Sequence, residues 1–547
     1  MYQFVQQSIN SFLTKAGLLS MLGLLIGCQV LKDMGNIKPL DGVIFKLNYQ
    51  PAKAQVQGLV LDAKTSEPLS IPVRVSILGK DASRTVTFSG KAQTSYIAPK
   101  GDVFIGLNGA EPTLTAPADL LVVLQAEGYV ASSSNLSLTK SLNNPFFVRL
   151  LKRSAPPAGV AAQTATVITS SSGTLLTNQV IDLKIPTAVS PIPLQVSLGA
   201  NTVMKDDKGQ LVTGNLTAWV VAYSSQSQDA LLTFPGGLSA PVTRNAQGAT
   251  GVKGRFNPVG FVSIELKSGR GQAVASLSQP ALVQMTISAT SYNPQTNQVI
   301  KAGDNLEVYS YNDTTGEWTY ERTVVAIGQA GLLAVAIPMT HVGSYVLTTP
   351  RSVETCQLDL KVGTLPANHS YLADLISFQG ANQDRPLVIE RTPSVSGDQL
   401  AITLINKQRY ELKITDPLNG YLIGHLGKFT HTCTRGVTTA VSVPITPPAY
   451  SVNANFTIKA VCENGKRIEV YPTTNLYVRE TANPSAMLAS TLLKDGKGTL
   501  TGLTPNTNYQ ALVYYEGAFS KPFNSGSADS DQTLTFVLSN EVSVCNQ

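Results

Sequence analysis

The sequence predicts an all-β protein made of tandem β-sandwich domains that follow an N-terminal leader. Strand-sized segments with alternating apolar residues recur along the chain, whereas helical periodicity of useful length is scarce. Gly, Asn and Pro separate these segments, as expected of turns between strands. Charged residues make up only 14% of the chain, against about 25% in an average protein, which is typical of exported β-rich proteins.

The chain length predicts several domains. At ~100–200 residues per domain, 547 residues correspond to about three to five domains. Pro-rich segments at 154–159 and 444–448 mark linkers. The predicted segments are a leader at 1–27, a tether at 28–55, a first sandwich at 56–153, a region at 160–350, and two further sandwiches at 351–443 and 449–547. The region at 160–350 is long enough for one large or two small sandwiches.

The charge balance argues against a nucleic-acid partner. The 41 Lys and Arg exceed the 35 Asp and Glu by six, and this small excess is spread over the chain. No cluster of five to eight basic residues is present, so the sequence does not predict a surface that follows phosphates. No nucleic-acid partner and no cofactor is expected.

The leader predicts a lipid anchor. Lys15 precedes an apolar run at 16–27 of 12 residues, shorter than the ~20 that span a bilayer. The run ends in Leu25-Ile26-Gly27-Cys28, which resembles the bacterial lipobox, and this resemblance implies that Cys28 is acylated and holds the chain at a membrane. The alternative is an uncleaved signal anchor or an ordinary leader. Gln29, by resemblance to Gram-negative lipoproteins, implies the outer membrane, and the chain as a whole resembles outer-membrane lipoproteins of the Bacteroidota.

The first sandwich resembles a carboxypeptidase regulatory-like domain. The matching motifs are Gly58-Leu59-Val60-Leu61-Asp62, Pro68-Leu69, alternating Val73 and Val75, and Glu127-Gly128-Tyr129. The usual middle motif is met only loosely by the segment at 101–105. This resemblance implies a small prealbumin-like sandwich that lacks the zinc ligands of the peptidase it accompanies.

The last sandwich resembles immunoglobulin-like and fibronectin-like domains. Leu500, Leu503, Pro505, Thr507 and Tyr509 match the corner motif of such sandwiches, in which the tyrosine ring packs at one end of the domain. The resemblance is to an architecture and implies no activity.

One hairpin concentrates aromatic residues. Segments 306–311 and 317–322 flank a turn at 313–316, and four-residue loops are common in hairpins. In this register Tyr311 faces Trp318, Tyr309 faces Tyr320 and Glu307 faces Arg322, all on one side. The opposite face, with Leu306 and Val308 among polar residues, is expected to be exposed.

Two interpretations of this aromatic face remain open. The favoured one is core packing, because burying aromatic area stabilises a fold by more than the ~0.5–1.5 kcal/mol of one ring pair. The other is a platform for sugar rings made of Tyr309, Tyr311, Trp318 and Tyr320.

Four cysteines outside the leader predict two disulfides. Cys356, Cys433, Cys462 and Cys545 are an even set in an exported chain, which permits three connectivities. The favoured pairs are Cys356 with Cys433 and Cys462 with Cys545, because each spans one predicted sandwich. The rival is Cys433 with Cys462, across the linker at 444–448.

No motif in the sequence predicts catalysis. The chain has no Gly-x-Ser-x-Gly, no His-Glu-x-x-His, no P-loop and no dinucleotide fingerprint. His425, His431 and Cys433 lack the further ligands of a zinc site, so no metal is expected. The expected function is a non-catalytic envelope lipoprotein that binds or scaffolds at the cell surface, by adhesion or glycan capture. A structural subunit of an envelope protein complex is the alternative, and an enzyme with an unrecognised site is a more remote one.

Overall fold

A computed structural model describes residues 44–48, 52–87, 90–141, 144–187, 190–252, 254–294, 296–329, 332–350, 355–363, 371–380, 382–394, 399–416, 420–430, 432, 439–445, 451–463, 469–482, 489–514, 518–539 and 545. The chain divides into two compact units. The main unit takes Asn48–Ile458 and Pro472–Leu534, and the small unit takes Met1–Leu47, Lys459–Tyr471 and Thr535–Gln547. As predicted, the protein is all-β with tandem sandwiches. None of the helices in the described part is long and apolar enough to cross a membrane.

The first domain of the main unit is a sandwich of two four-stranded sheets, ordered β4-β6-β2-β9 and β5-β3-β7-β8. Strand β9 closes the first sheet by pairing parallel to β2. Aliphatic side chains at alternating positions, such as Val73 and Val75, fill the space between the sheets. The tether predicted at 28–55 contains strand β1, which the sequence prediction missed. The strands of this domain are β2 (Ala54–Asp62), β3 (Val73–Leu78), β4 (Thr85–Val86), β5 (Ser95–Ala98), β6 (Asp102–Leu107), β7 (Ala118–Ala126), β8 (Ser132–Leu138) and β9 (Asn144–Leu150), with a 3-10 turn at Ala82–Arg84. Strand β1 (Ile44–Asn48) precedes the domain, and its residues up to Leu47 belong to the small unit.

The second domain is one large sandwich, which settles the question left open for residues 160–350. An eight-stranded sheet, ordered β10-β14-β17-β25-β21-β22-β15-β16, packs on a sheet ordered β11-β12-β18-β24-β23, with β13 beside β18. One aliphatic core lies between them. The elements are β10 (Val160–Thr169), β11 (Gln179–Ile185), β12 (Ile192–Leu198), β13 (Met204–Lys205), β14 (Gly214–Tyr223), α1 (Gln228–Leu231), β15 (Val242–Arg244), β16 (Thr250–Val252), β17 (Pro258–Ser268), β18 (Ser276–Ile287), β19 (Tyr292–Asn293), β20 (Gln298–Val299), β21 (Asn305–Asn312), β22 (Glu317–Val325), β23 (Ile327–Gln329), β24 (Leu332–His341) and β25 (Gly343–Thr348).

The third domain is a smaller sandwich. A three-stranded sheet, ordered β29-β26-β32, faces a four-stranded sheet, ordered β28-β27-β30-β31. Leu360, Tyr371 and Leu412 are among the buried side chains of its core. The strands are β26 (Thr355–Val362), β27 (Tyr371–Gln379), β28 (Arg385–Ser394), β29 (Gln399–Ile405), β30 (Arg409–Thr415), β31 (Leu422–Thr430) and β32 (Thr439–Val443).

The C-terminal strands are shared between the two units. In the main unit, β36 pairs with the first half of β33, while β35 and β37 flank β34 and β38 pairs with β37. The predicted tyrosine corner is present, since the Thr504 backbone N–H donates to the Tyr509 hydroxyl at 3.0 Å and the Tyr509 ring stacks on Phe523. The strands are β33 (Val452–Cys462), β34 (Glu469–Glu480), β35 (Ala489–Leu493), β36 (Lys497–Leu503), β37 (Asn508–Tyr514), β38 (Ala518–Asn524) and β39 (Ser530–Leu538).

The small unit contains one of the predicted disulfides. Cys462 and Cys545 are joined, which overturns the rival pairing of Cys433 with Cys462. In the same unit Ala460 pairs with Val470 in an antiparallel ladder, and Lys459 forms an ion pair with Glu469 at 2.6 Å.

Candidate functional site

The aromatic hairpin formed by β21 and β22 is the centre of the candidate site. Its turn is fixed locally, because the Asn312 carboxamide oxygen accepts hydrogen bonds from the backbone N–H groups of Thr314 (2.8 Å) and Thr315 (3.0 Å). Gly316 ends the turn at φ 69°, a conformation that favours glycine. Local chemistry therefore specifies this turn.

The predicted register holds for the aromatic pairs and fails beyond them. Tyr311 pairs with Trp318 and Tyr309 with Tyr320, as predicted. A bulge between Val308 and Tyr309 then shifts the ladder. The predicted pairing of Glu307 with Arg322 is therefore wrong: Glu307 pairs with Thr323, and its side chain accepts a hydrogen bond from the Tyr309 hydroxyl at 2.8 Å.

Both faces of strand β21 in this hairpin are buried, whereas in β22 only Trp318 is buried. Leu306 and Val308, on the face expected to be exposed, lie in the aliphatic core between the two sheets of the second domain. That expectation is wrong because strand alternation shows which residues share a face and does not show what covers it. The aromatic face is buried as well, with Trp318 and Tyr309 at 0% exposure.

An insertion at residues 224–257, between β14 and β17, covers the aromatic face. Ser227 caps its short helix α1, since the Ser227 side chain accepts from the Ala230 backbone N–H. The Phe234 ring stacks on Trp318 with centroids 5.0 Å apart. The Trp318 indole N–H donates to the Pro235 carbonyl at 3.0 Å, so its polar edge is satisfied.

The platform interpretation is therefore wrong for Tyr309, Tyr311 and Trp318, which are buried, and only Tyr320 is partly exposed. The insertion that covers them was not predicted from the sequence. The run at 231–238, Leu-Leu-Thr-Phe-Pro-Gly-Gly-Leu, was the available signal, because an apolar run interrupted by Pro-Gly-Gly fits a buried loop better than a strand.

The aromatic cluster belongs to a core that reaches three domains. Val130 and Leu151 of the first domain, Trp318 of the second and Tyr410 of the third lie in one contiguous set of buried apolar residues. The sandwiches of the main unit therefore share packing across their junctions.

Polar contacts reinforce the junction between the first and second domains. Gln125 donates to the Asp313 carbonyl at 2.7 Å and the Ser133 hydroxyl donates to the Gly316 carbonyl at 2.9 Å. At the rim, Lys267 pairs with the exposed Glu127 at 3.1 Å. The turn of the aromatic hairpin is therefore held directly by β7 and β8 of the first domain.

A buried arginine ties the second domain to the third. Arg255, within the insertion, donates to the Thr403 carbonyl at 2.8 Å and lies 2.9 Å from the Glu390 carboxylate. Its side chain is nearly fully buried, so breaking this pair would leave an uncompensated charge.

The first domain also meets the third and the C-terminal strands. Arg149 faces Asp229 of α1 and also an ion pair of the third domain. In that pair, Arg391 Nε lies 2.6 Å from Asp374 Oδ1. These four side chains balance two positive and two negative charges. Burial lowers the pKa of Arg149 from its ordinary value, and the neighbouring Arg391 adds to this shift.

On another side of the first domain, Arg479 forms an ion pair with Asp102 at 2.5 Å, and Tyr477 bonds Gln55. The Phe104 ring packs against Tyr514 with centroids 4.8 Å apart. The first domain thus contacts every other part of the main unit.

A narrow, partly open cleft lies between the second and third domains. Tyr292 and Gln408 bond each other across it, and burial raises the pKa of Tyr410 to about 12. Other polar side chains of the lining bond within their own domain, since Ser225 donates to the Val259 carbonyl and Gln379 donates to the Ser377 hydroxyl. The lining includes Ser225, Gln226, Asn257, Ser291, Gln379 and Tyr410.

The histidines and remaining cysteines are placed as follows. His425 lies 2.7 Å from the Glu411 carboxylate, on the third domain. Cys356 is disulfide-bonded, but its predicted partner Cys433 lies outside the described residues, so that pairing stays a prediction. His431 and Cys28 also lie outside the described residues. Within the described part of the chain, no group of three His, Cys, Asp or Glu side chains is arranged to hold a metal ion.

Comparison with known proteins gives no family. No protein-family model matches the sequence, and no curated protein matches it. Among solved structures, the pilus adhesin SpaC from Lactobacillus rhamnosus GG is 11% identical to this chain, with a TM-score of 0.15. The match covers 70% of this chain and 56% of SpaC, so this chain spans little more than half the length of SpaC. The pilus-presented adhesin Spy0125 (Cpa), solved as a cysteine-to-alanine mutant, is 8% identical with a TM-score of 0.11. That match covers 88% of this chain and 100% of the Spy0125 chain. TM-scores this low do not establish a common fold.

Proposed function

We propose that this chain is a non-catalytic lipoprotein of the bacterial outer membrane, anchored through acyl chains on Cys28, that acts as a stiff scaffold for adhesion or glycan capture at the cell surface. The observation that carries the proposal is the apolar core shared by three domains of the main unit. Domains joined by polar contacts alone move relative to one another, whereas a large apolar junction holds them together. A stiff body on a lipid anchor suits the presentation of a binding surface.

Glycan capture would not use the aromatic hairpin. Trp318 and its neighbours are covered by the insertion, and their rings are occupied by contacts with Phe234 and Phe256. A glycan or protein ligand would therefore contact exposed residues elsewhere on the scaffold.

One observation favours the alternative, a structural subunit of an envelope protein complex. Strand β23 ends the second sheet of the second domain, and exposed aliphatic side chains lie on and beside it. Val325, Ile327 and Leu332 are 49%, 50% and 51% exposed. A sheet edge with apolar side chains suits contact with another protein better than contact with a sugar.

Fractionation tests the anchor. Cys28→Ser should move the chain from the membrane to the soluble fraction and remove the lipid-modified N-terminal peptide seen by mass spectrometry. Retention of the serine variant in the membrane, with no lipidated peptide in the wild type, would refute the anchor.

A pull-down from solubilised membranes tests the role. Retained glycan supports capture, whereas a stoichiometric envelope protein lost on Ile327→Asp supports the alternative. Turnover of peptide, ester or glycoside substrates that co-elutes with the chain and disappears on a single carboxylate substitution would contradict the non-catalytic proposal.

A further inference from the structure

We infer that the junction between the first and second domains is a proton-operated lock, in which protonation of the Asp313 carboxyl strengthens the docking of the two domains. The inference goes beyond the proposed function, because it makes the docking of two domains of the scaffold depend on pH. It rests on the position of this carboxyl, on its fixed backbone and on the charges that face it.

The backbone of Asp313 is fixed when the domains are docked. Its carbonyl accepts from Gln125 of the first domain, and Ser133 holds the carbonyl of Gly316 at the other end of the same turn. Asn312 locks the turn from within. The side chain therefore stays in the junction, where its Oδ1 atom is buried and has no hydrogen-bond partner among the described residues.

The charges that face Asp313 do not balance it. Arg153, just after β9, is the cation that faces it, and Arg153 already pairs with Glu265 of β17 at 3.1 Å. The hydroxyls of Tyr311 and Tyr223 also face this carboxyl, and burial raises the pKa of each, so both remain neutral. An ionised Asp313 would place two carboxylates against one guanidinium, whereas a protonated one leaves the Arg153–Glu265 pair balanced.

Undocking would move this carboxyl from a buried site to water. Burial raises the pKa of Asp313 from an ordinary value of 3.8 to about 6 in the docked form. Between these values the docked form binds more protons than the open form, so docking strengthens as the pH falls. Linkage gives a docking equilibrium about tenfold more favourable at pH 5 than at pH 8.

Hydrogen exchange of the full mature chain tests the lock. Protection of β8 (Ser132–Leu138) and of the turn at 312–316 would be measured at pH 5, 6, 7 and 8, with labelling times scaled to the intrinsic exchange rate. The wild type should lose about tenfold in protection between pH 5 and pH 8. Asp313→Asn, which keeps the shape without the charge, should be protected at every pH to the level of the wild type at pH 5. The matched control Asp207→Asn, at an exposed site of the same domain, should behave as the wild type.

A second variant, Glu265→Gln, tests the same inference without changing Asp313 itself. Glu265→Gln frees Arg153 to compensate Asp313, so the midpoint of the protection profile should move to lower pH. A flat wild-type profile, or an Asp313→Asn variant that keeps the wild-type pH dependence, would overturn the inference. So would an Asp313→Asn variant that loses protection at every pH, because the junction would then need the charged form. The lipid anchor and the pull-down outcomes would stand in each of these cases.

Discussion

The central strands β17, β25 and β21 of the eight-stranded sheet in the second domain are buried on both faces, but different side chains bury each face. The inner face is aliphatic, with Val308 and Leu347 packed against the partner sheet of the same domain. The outer face is aromatic, with Phe261 and Trp318 packed against the insertion at 224–257 and connected to the cores of the neighbouring domains. The inner face therefore specifies the domain, and the outer face specifies how the domains join.

This difference explains why aromatic residues concentrate outside the sandwich. A flat ring such as Trp318 offers a large area and an N–H that reaches a loop carbonyl, so it can bind irregular backbone that an aliphatic side chain cannot satisfy. Aliphatic side chains suit the regular spacing between two sheets. Substitutions on the two faces should therefore have different consequences for the rest of the chain.

The largest effect is expected from Trp318→Ala. Removal of a fully buried indole should lower the free energy of unfolding by about 3–5 kcal/mol and should expose β8 of the first domain and the insertion to hydrogen exchange. The matched inner-face variant Val308→Ala should cost about 2 kcal/mol. Val308→Ala should leave the hydrogen-exchange protection of β8, relative to that of the rest of the chain, unchanged. Equal loss of β8 protection in both variants would remove the distinction between the faces.

A smaller effect is expected from Gly316→Ala at the docked turn. A Cβ there would lie 2.7 Å from Val123 Cγ2 and 2.9 Å from Ser133 Cβ. Backbone strain and this steric conflict together should lower the free energy of unfolding by about 2–3 kcal/mol. Gly209 has a similar φ of 75° but open space around it, and Gly209→Ala should cost only about 1 kcal/mol. Urea titrations of both variants measure the difference. Equal losses would mean that the turn is not pressed against the first domain.

The smallest effect is expected at the rim of the same junction. Lys267→Gln removes a partner of Glu127, which is 85% exposed, so the free energy of unfolding should change by no more than about 0.5 kcal/mol. A loss above 1.5 kcal/mol in the same titration would show that the rim, rather than the aromatic face, holds the junction.

The sequence predicted what local rules decide. Alternation and the turn residues placed Tyr311 opposite Trp318, and the spacing of cysteines paired Cys462 with Cys545, because both depend on short-range geometry or on one domain's length. The bulge at Val308 was not predictable, since no residue in the strand requires it. Nor was the cover over Trp318, because it comes from a segment about 80 residues earlier in the chain, through tertiary contacts that periodicity does not report.

We expect the outer face to join three sandwiches into one cooperative body. Hydrogen exchange of the full chain at increasing denaturant tests this by following strands β7, β14 and β27, one from each domain. A common core predicts that the amides of all three strands lose protection in one shared opening, with the same free energy and the same dependence on denaturant. Separate openings, with β7 exchanging well before β14, would contradict the claim.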